Sequence, residues 1–317
     1  MKREKKQILG NFINDYLLLT GIIILTLYTI IAEPAFLNPG NLLNLIRTFV
    51  PLAFVSIGMT LIIIGGYIDL SVAGLFSMMS ILASMLSNRF GPVSLLLILL
   101  AGLICGAVSA LILIICGARN SSDALFITFG MQTAFNALAL LLNGGLAVTL
   151  EQTPFTRFLG AGNFLGIPMV LILFIIAVVV LQFLMKKMPV GRAVHLVGGN
   201  PTAAELCGIK PSKVILLSFS VTGAMTALGA YLLLCRVGTA IPTVGKNYET
   251  NAILAVCIGG TSLSGGKGSV LNTVLGVMLV TIMSNALNIL GIDANMQSVW
   301  KGVILILAIW IDSRRKV

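Results

Sequence analysis

Charge is scarce in this chain. Of its 317 residues only 9% are Asp, Glu, Lys or Arg, whereas an ordinary soluble domain carries roughly a quarter. A water-facing globular surface cannot be built from so few. Histidine occurs once, as His195, which excludes a two-histidine metal site and a H-E-x-x-H helix. The five cysteines, Cys105, Cys116, Cys207, Cys235 and Cys257, contain no C-x-x-C pair. Four of them lie in apolar runs, where cysteine acts as a small hydrophobe, so neither a disulfide framework nor a metal site is expected. Serines are plentiful, but no G-x-S-x-G elbow accompanies them, and in a membrane span Ser and Thr bond their own backbone or a neighbouring helix. No polar stretch is long enough to fold alone: the longest, 143–166 and 186–213, are under about 30 residues each. The chain therefore carries no catalytic constellation and no cofactor or metal site of its own.

What is there is hydrocarbon, at 58% of the residues. A helical span needs about 20 mostly apolar residues, and ten segments qualify as candidate spans: 16–32, 42–64, 72–86, 93–116, 125–142, 167–185, 214–235, 252–263, 270–290 and 299–310. The third, eighth and tenth are short, and the number becomes eight if two of the short segments re-enter. The expected fold class is an all-α polytopic membrane protein, one transmembrane domain over residues 1–317. The Lys2-Arg3-Glu4-Lys5-Lys6 start mimics a secretory signal, but no A-x-A-like cleavage site is evident, so the first span is expected to be retained as an anchor.

The net charge of +10 has two readings, a nucleic-acid partner or an excess of Lys and Arg in cytoplasmic loops. Loop counting favours the second. With the N-terminus inside, fourteen basic residues fall on the cytoplasmic side: Lys2, Arg3, Lys5, Lys6, Arg119, Lys186, Lys187, Arg192, Lys210, Lys213, Lys267, Arg314, Arg315 and Lys316. Only four, Arg89, Arg157, Arg236 and Lys246, fall on the other. This positive-inside bias places both termini in the cytoplasm. Arg47 and Lys301 sit near span ends, where long side chains snorkel to the interface.

Two features break the apolar pattern. The first is a polar island, 190–208, within the cytoplasmic loop 186–213. It has its own helix signals: Asn200 to cap, Pro201 at the first helical position and Gly208 to close in a left-handed conformation. Two turns outside the bilayer suffice to press a ridge into another protein's groove, so the island reads as a docking element. The second is an internal echo. Ile64-Gly65-Gly66-Tyr67-Ile68-Asp69-Leu70-Ser71 and Ile258-Gly259-Gly260-Thr261-Ser262-Leu263-Ser264-Gly265-Gly266 both place a Gly pair, then Leu-Ser, in an apolar run. Gly-broken spans at corresponding places in two halves point to a transporter with internal repeats and a central pathway. Asp69, at the edge of such a run, either faces a cavity or merely caps the next helix with Ser71. The glycine-rich 260–269 is no P-loop: Lys267 comes one residue late after Gly260, Gly268 stands where Ser or Thr is required, and no strand precedes.

Several segments resemble one family. Tyr67-Ile68-Asp69-Leu70-Ser71-Val72-Ala73-Gly74 is similar to the G-I-D-L-S-V-G signature of ribose-type permeases, the membrane subunits of bacterial ATP-driven sugar importers. Ala124-Leu125-Phe126-Ile127-Thr128-Phe129-Gly130 resembles that family's P-x-F-I-x-T-L-G. Gly191-Arg192 with Gly198-Gly199-Asn200-Pro201-Thr202-Ala203-Ala204-Glu205-Leu206-Cys207-Gly208-Ile209 resembles its G-R…G-G-N-x-x-A-A-x-x-x-G-I loop. Tyr248 to Gly268 resembles its long Y-E-L-x-A-I-A-A-V-x-I-G-G-T-S-L-x-G-G-x-G stretch. Together they cover roughly residues 40 to 312. Tyr67 in place of Gly, the missing proline at Asp123-Ala124 and Thr202 in place of Glu depart from the pattern.

The resemblance implies a type II importer-like permease in the bacterial cytoplasmic (inner) membrane. Its partners would be cytoplasmic ATPase subunits carrying ATP and Mg, a second permease copy or a homologue, an extracytoplasmic solute-binding protein and membrane lipid, with no nucleic acid. The coupling residues would be Arg192, Gly199, Asn200, Pro201, Ala203, Ala204, Glu205 and Gly208. Candidates for the pathway or the broken helices are Asp69, Ser71, Thr128, Gly259, Gly260, Ser264 and Gly265. The cargo expected is a sugar or sugar-like solute; nucleosides or branched-chain amino acids are the alternative within transport. An ion-coupled carrier stands further off, because Asp69 is nearly alone among ionisable groups in the apolar runs.

Overall fold

The computed structural model describes residues 23, 24, 26–118 and 121–314; residues 16–22 and 25 of the expected first span, 16–32, lie outside them, and residues 26–32 are its helical end. Among the described residues eight helices reach 19 residues or more: α1 (Pro39–Ile64), α2 (Val72–Phe90), α3 (Ser94–Ile115), α4 (Ser121–Leu141), α6 (Met169–Lys187), α9 (Pro211–Val237), α11 (Val270–Ile289) and α12 (Ala294–Arg314). Four are short: α5 (Pro154–Ala161), α7 (Pro189–Gly199), α8 (Pro201–Leu206) and α10 (Tyr248–Ile258). Six stretches are long and apolar enough to cross a membrane; one of them, Val72–Ile115, holds both α2 and α3. These two are separated by a single tight turn at Gly91–Val93, where Gly91 has φ +54°. The chain is an all-α polytopic membrane protein, as the apolar pattern predicts. The third and tenth spans come out longer than expected, as Val72–Phe90 and Ala294–Arg314, because polar residues at their ends, such as Asn88, Arg89 and Asn295, continue the helix.

The core forms around α1 and α9. From Phe49 to Ile64 every residue of α1 is buried, so this helix is surrounded on all sides rather than along one stripe. The 27-residue α9 packs against α1, α2 and α3. Small residues set the spacing, as expected where lipid is as apolar as the side chains and close backbone approach supplies the attraction. A Cβ on Gly102 or Gly106 of α3 would collide with the carbonyls of Gly223 and Phe219 on α9. Tyr231, fully buried, bridges the α2–α3 turn through its hydroxyl, which lies 2.9 Å from Ser94 Oγ and 3.3 Å from Ser87 Oγ. The outward faces of α3 and α6 carry exposed Leu100, Ile104, Leu111, Ile176, Val179 and Phe183, a surface suited to lipid.

At the end of the bundle bearing the α2–α3 turn, two small sheets close the loops. β1 (Val148–Thr149) pairs antiparallel with β4 (Thr239–Ala240), joining the segment after α4 to the segment after α9. β2 (Asn163–Phe164) and β3 (Ile167–Pro168) form a hairpin whose two central residues, Leu165 and Gly166, both have positive φ, the twist a two-residue hairpin favours. Between them α5 starts with a capping box made by Thr153 and Thr156. The opposite end carries α7 and α8.

Candidate functional site

Two helices stop in the same way at the α7–α8 end. In α1 the amide of Gly65 bonds Leu61 O (3.0 Å), Gly66 bonds Ile63 O (3.0 Å) and Tyr67 bonds Ile62 O (3.1 Å), with Gly66 at φ +86°. In α10 the equivalent bonds run from Gly259 to Ala255 O (2.9 Å), Gly260 to Cys257 O (2.9 Å) and Thr261 to Val256 O (3.2 Å), with Gly260 at φ +78°. The second glycine of each pair takes the left-handed position that lets the last carbonyls find donors, so the echo in the sequence is an echo of backbone geometry.

After the first stop the chain does not leave the bundle. Ser121 Oγ, at the start of α4, donates to Gly66 O (2.7 Å), and Thr128 Oγ1, seven residues on, accepts from the Leu70 amide (3.1 Å). Seven helical residues rise about 10 Å, a distance that four extended residues cover. Residues 67–71 thus climb along α4 as unwound backbone, and α2 begins well inside the bundle. Such backbone is tolerated where protein supplies its hydrogen bonds, and Thr128 does so. Its hydroxyl donates to Ala124 O (2.8 Å), which leaves its lone pairs for Leu70. Asp69, 3% exposed, accepts from the Ser71 amide (2.8 Å) and the Ser71 hydroxyl (2.6 Å). Its carboxyl thus holds Ser71, the residue that immediately precedes α2.

The second stop leads into a flat turn that meets the first. Gly266 N–H donates to Ile64 O (2.8 Å), and a Cβ on Gly265 would fall 2.6 Å from Gly198 O and 2.8 Å from Gly66 Cα. Gly198, buried in α7, has no room for any side chain, because its Cβ would overlap the Ile64 carbonyl oxygen. His195 Nδ1 lies 3.0 Å from Gly266 O. Three Gly-Gly pairs, 65–66, 198–199 and 265–266, therefore form one joint between α1, α7 and the turn after α10, with backbone touching backbone.

Beyond that joint stands α8. Asn200 Oδ1 caps it by accepting from the Ala203 amide (3.0 Å). Its C-terminal end closes with Gly208 at φ +80°, through bonds from Gly208 N to Glu205 O (2.8 Å) and from Ile209 N to Ala204 O (3.0 Å). Ala204 is buried, whereas Pro201, Ala203, Glu205 and Leu206 are exposed, Leu206 at 87%. The helix predicted at Asn200–Gly208 is present, but it is only half of the element. Sequence reading missed α7, which connects α8 to the bundle; Gly191, Val194, Val197 and Gly198, its buried face, recur at helical spacing and hold the available signal. Of the expected coupling residues, Gly199 reaches the joint, while Arg192, Asn200, Ala203 and Glu205 face outward. Of the pathway candidates, Thr128 and Ser71 hold the unwound segment and Gly265 enters the joint. Gly259 packs against Asn272 and Thr273 of α11, Gly260 has no neighbour within 4 Å of a built Cβ, and Ser264 is exposed.

The family model described as the permease component of branched-chain amino acid transport systems matches residues 41–309. The ribose import permease protein of Bacillus subtilis is 36% identical over 297 residues, covering 93% of this chain and 91% of that one. The ribose import permease protein of Haemophilus influenzae is 30% identical over 99% of this chain and 98% of its own length. The xylose transport system permease protein of Haemophilus influenzae is 31% identical over 95% and 96%. No solved structure matches the chain.

Proposed function

We propose, from the premise that this chain belongs to the family described as permease components of branched-chain amino acid transport systems, that it is the permease subunit of an ATP-binding-cassette importer for a sugar or sugar-like solute. It is a transport component, multi-pass in the membrane, and not an enzyme. The observation that carries the coupling part is the Gly198 contact: an exposed helix, α8, is joined through α7 to the carbonyl end of the most buried span without an intervening flexible side chain. A push on α8 is delivered to Ile64, to Gly66 and to the turn after α10 at once.

In this reading ATP and Mg reside on ATPase subunits that receive α8, with Arg192, Gly199, Asn200, Pro201, Ala203, Ala204, Glu205 and Gly208 as the coupling element. That places α7 and α8, with both termini, in the cytoplasm, in keeping with the excess of Lys and Arg on that side. A solute-binding protein then meets the β1–β4 end, and a second copy or homologue completes the pathway. The family's description names branched-chain amino acids, but the relatives named for ribose and xylose match nearly end to end, which favours the sugar. Reconstituting the chain with its ATPase and binding protein in proteoliposomes tests this. D-ribose or D-xylose uptake that stops on ATP depletion and survives collapse of the proton gradient is expected. Uptake of leucine alone, or uptake driven by the gradient, overturns it.

A further inference from the structure

A carboxylate, Glu249, is partly buried beside the middle of α4. After α9 ends at Val237 the chain turns back inward: the Gly245 amide donates to Ser77 Oγ of α2 (2.9 Å), and Tyr248 stacks on Phe76 with ring centroids 4.1 Å apart. Gly245 is required there, since a Cβ would overlap the Ala73 carbonyl. Glu249, in the first turn of α10, shares the lining of one concavity with the Gln132 side chain. Gln132 is eleven residues into the 21-residue α4, about 16 Å from its start, in a hydrocarbon core of about 30 Å. Lys246, exposed and counted on the outer side, lines the mouth of the same concavity, which has a volume of about 340 Å³. Gln132, Asn136, Thr243, Lys246 and Glu249 converge on it, and Glu249 Oε2 is buried without a hydrogen-bond partner.

Ionisable groups at this depth face a water-filled pathway or a specific ligand. The volume lies at the lower end of small-molecule sites. Two amides, a hydroxyl, an ammonium and a carboxylate oxygen in want of a donor form a set that alternates donors and acceptors. One carboxylate against one ammonium leaves no net charge to attract an ion. We propose that this concavity is a transient solute subsite on the translocation pathway, recognising an uncharged polyhydroxylated molecule, with Glu249 Oε2 accepting from a solute hydroxyl. The proposal rests on the sugar reading above for its ligand class, but not for the existence of the cavity.

Two measurements on the assembled importer in proteoliposomes test it. During ATP turnover, Asn136→Cys and Thr243→Cys should react with a charged, membrane-impermeant thiol reagent roughly tenfold or more faster than Val179→Cys on the lipid face, because a thiol in apolar surroundings stays unreactive. Equal rates overturn the water-filled cavity. For D-ribose uptake, Glu249→Gln and Gln132→Leu should each lose about tenfold, the weight of one hydrogen bond to a charged group. ATP hydrolysis stimulated by the loaded binding protein should stay within about twofold in the same variants. Unchanged uptake overturns the subsite alone, and a parallel loss of hydrolysis overturns it in favour of a structural role. A wild type that carries neither D-ribose nor D-xylose overturns the sugar reading and with it the polyol assignment, while the thiol rates still decide the cavity.

Discussion

The two glycine stops share every local bond and differ in the path the chain takes beyond them. After Gly66 the chain climbs about 10 Å along α4, held by Thr128 and by the Asp69–Ser71 pair. After Gly260 it folds flat beneath α7 and is held by backbone contacts to Gly198, Gly66 and Ile64. The same short sequence signal therefore ends a helix in both places, but the neighbouring helix decides where the chain goes next. The first continuation is tied down by side chains and the second mainly by close backbone contact, with the His195 ring as its long-range side-chain partner.

Substitutions that erase this difference should have effects in a definite order. The largest is Gly198→Ala: one methyl group overlaps the Ile64 carbonyl, the interior is too densely packed to yield, and the joint must open. Loss of ATP-coupled uptake, and of a monodisperse peak on size-exclusion chromatography, is expected; a variant that transports normally would refute the joint. Next is Thr128→Val, which strips the Leu70 amide of its acceptor at a cost of about 1–3 kcal/mol. It should lower the thermal midpoint in detergent, and an unchanged midpoint would mean that water replaces the hydroxyl. Gly260→Ala should cost only the left-handed penalty, about 1–2 kcal/mol, since its built Cβ meets nothing within 4 Å. Gly265→Ala adds a clash with Gly198 O and should be clearly worse in the same assay, so equal midpoints for the two would remove the contrast. The smallest is Asp69→Asn, which keeps an oxygen for the Ser71 amide and hydroxyl; transport within about twofold of wild type is expected for a retained neutral hydrogen bond. Loss of transport with an intact fold would show that the carboxylate acts on solute rather than as a cap.

Much of the architecture was legible because spans are read from length and apolarity, and the bilayer permits few alternatives to a helix. Asn200, Pro201 and Gly208 announced α8 for the same kind of reason: each occupies a position that only a few residue types suit. What stayed hidden was contact at long range. The echo of Gly65-Gly66 and Gly259-Gly260 is visible in the chain, yet nothing in it says that Gly266 will bond Ile64 O or that Gly198 will wedge between them. Nor does the sequence show that the chain packs back on α2 after α9, which only the Gly245–Ser77 and Tyr248–Phe76 contacts reveal.

The seam between α3 and α9 has a mechanical consequence. Where Gly102, Gly106 and Gly223 meet carbonyls across the gap, the two backbones are too close to slide past each other at that level without steric overlap. In the coupling proposed above, a push on Ile64 is then expected to be taken up away from this seam, which acts as a fixed support.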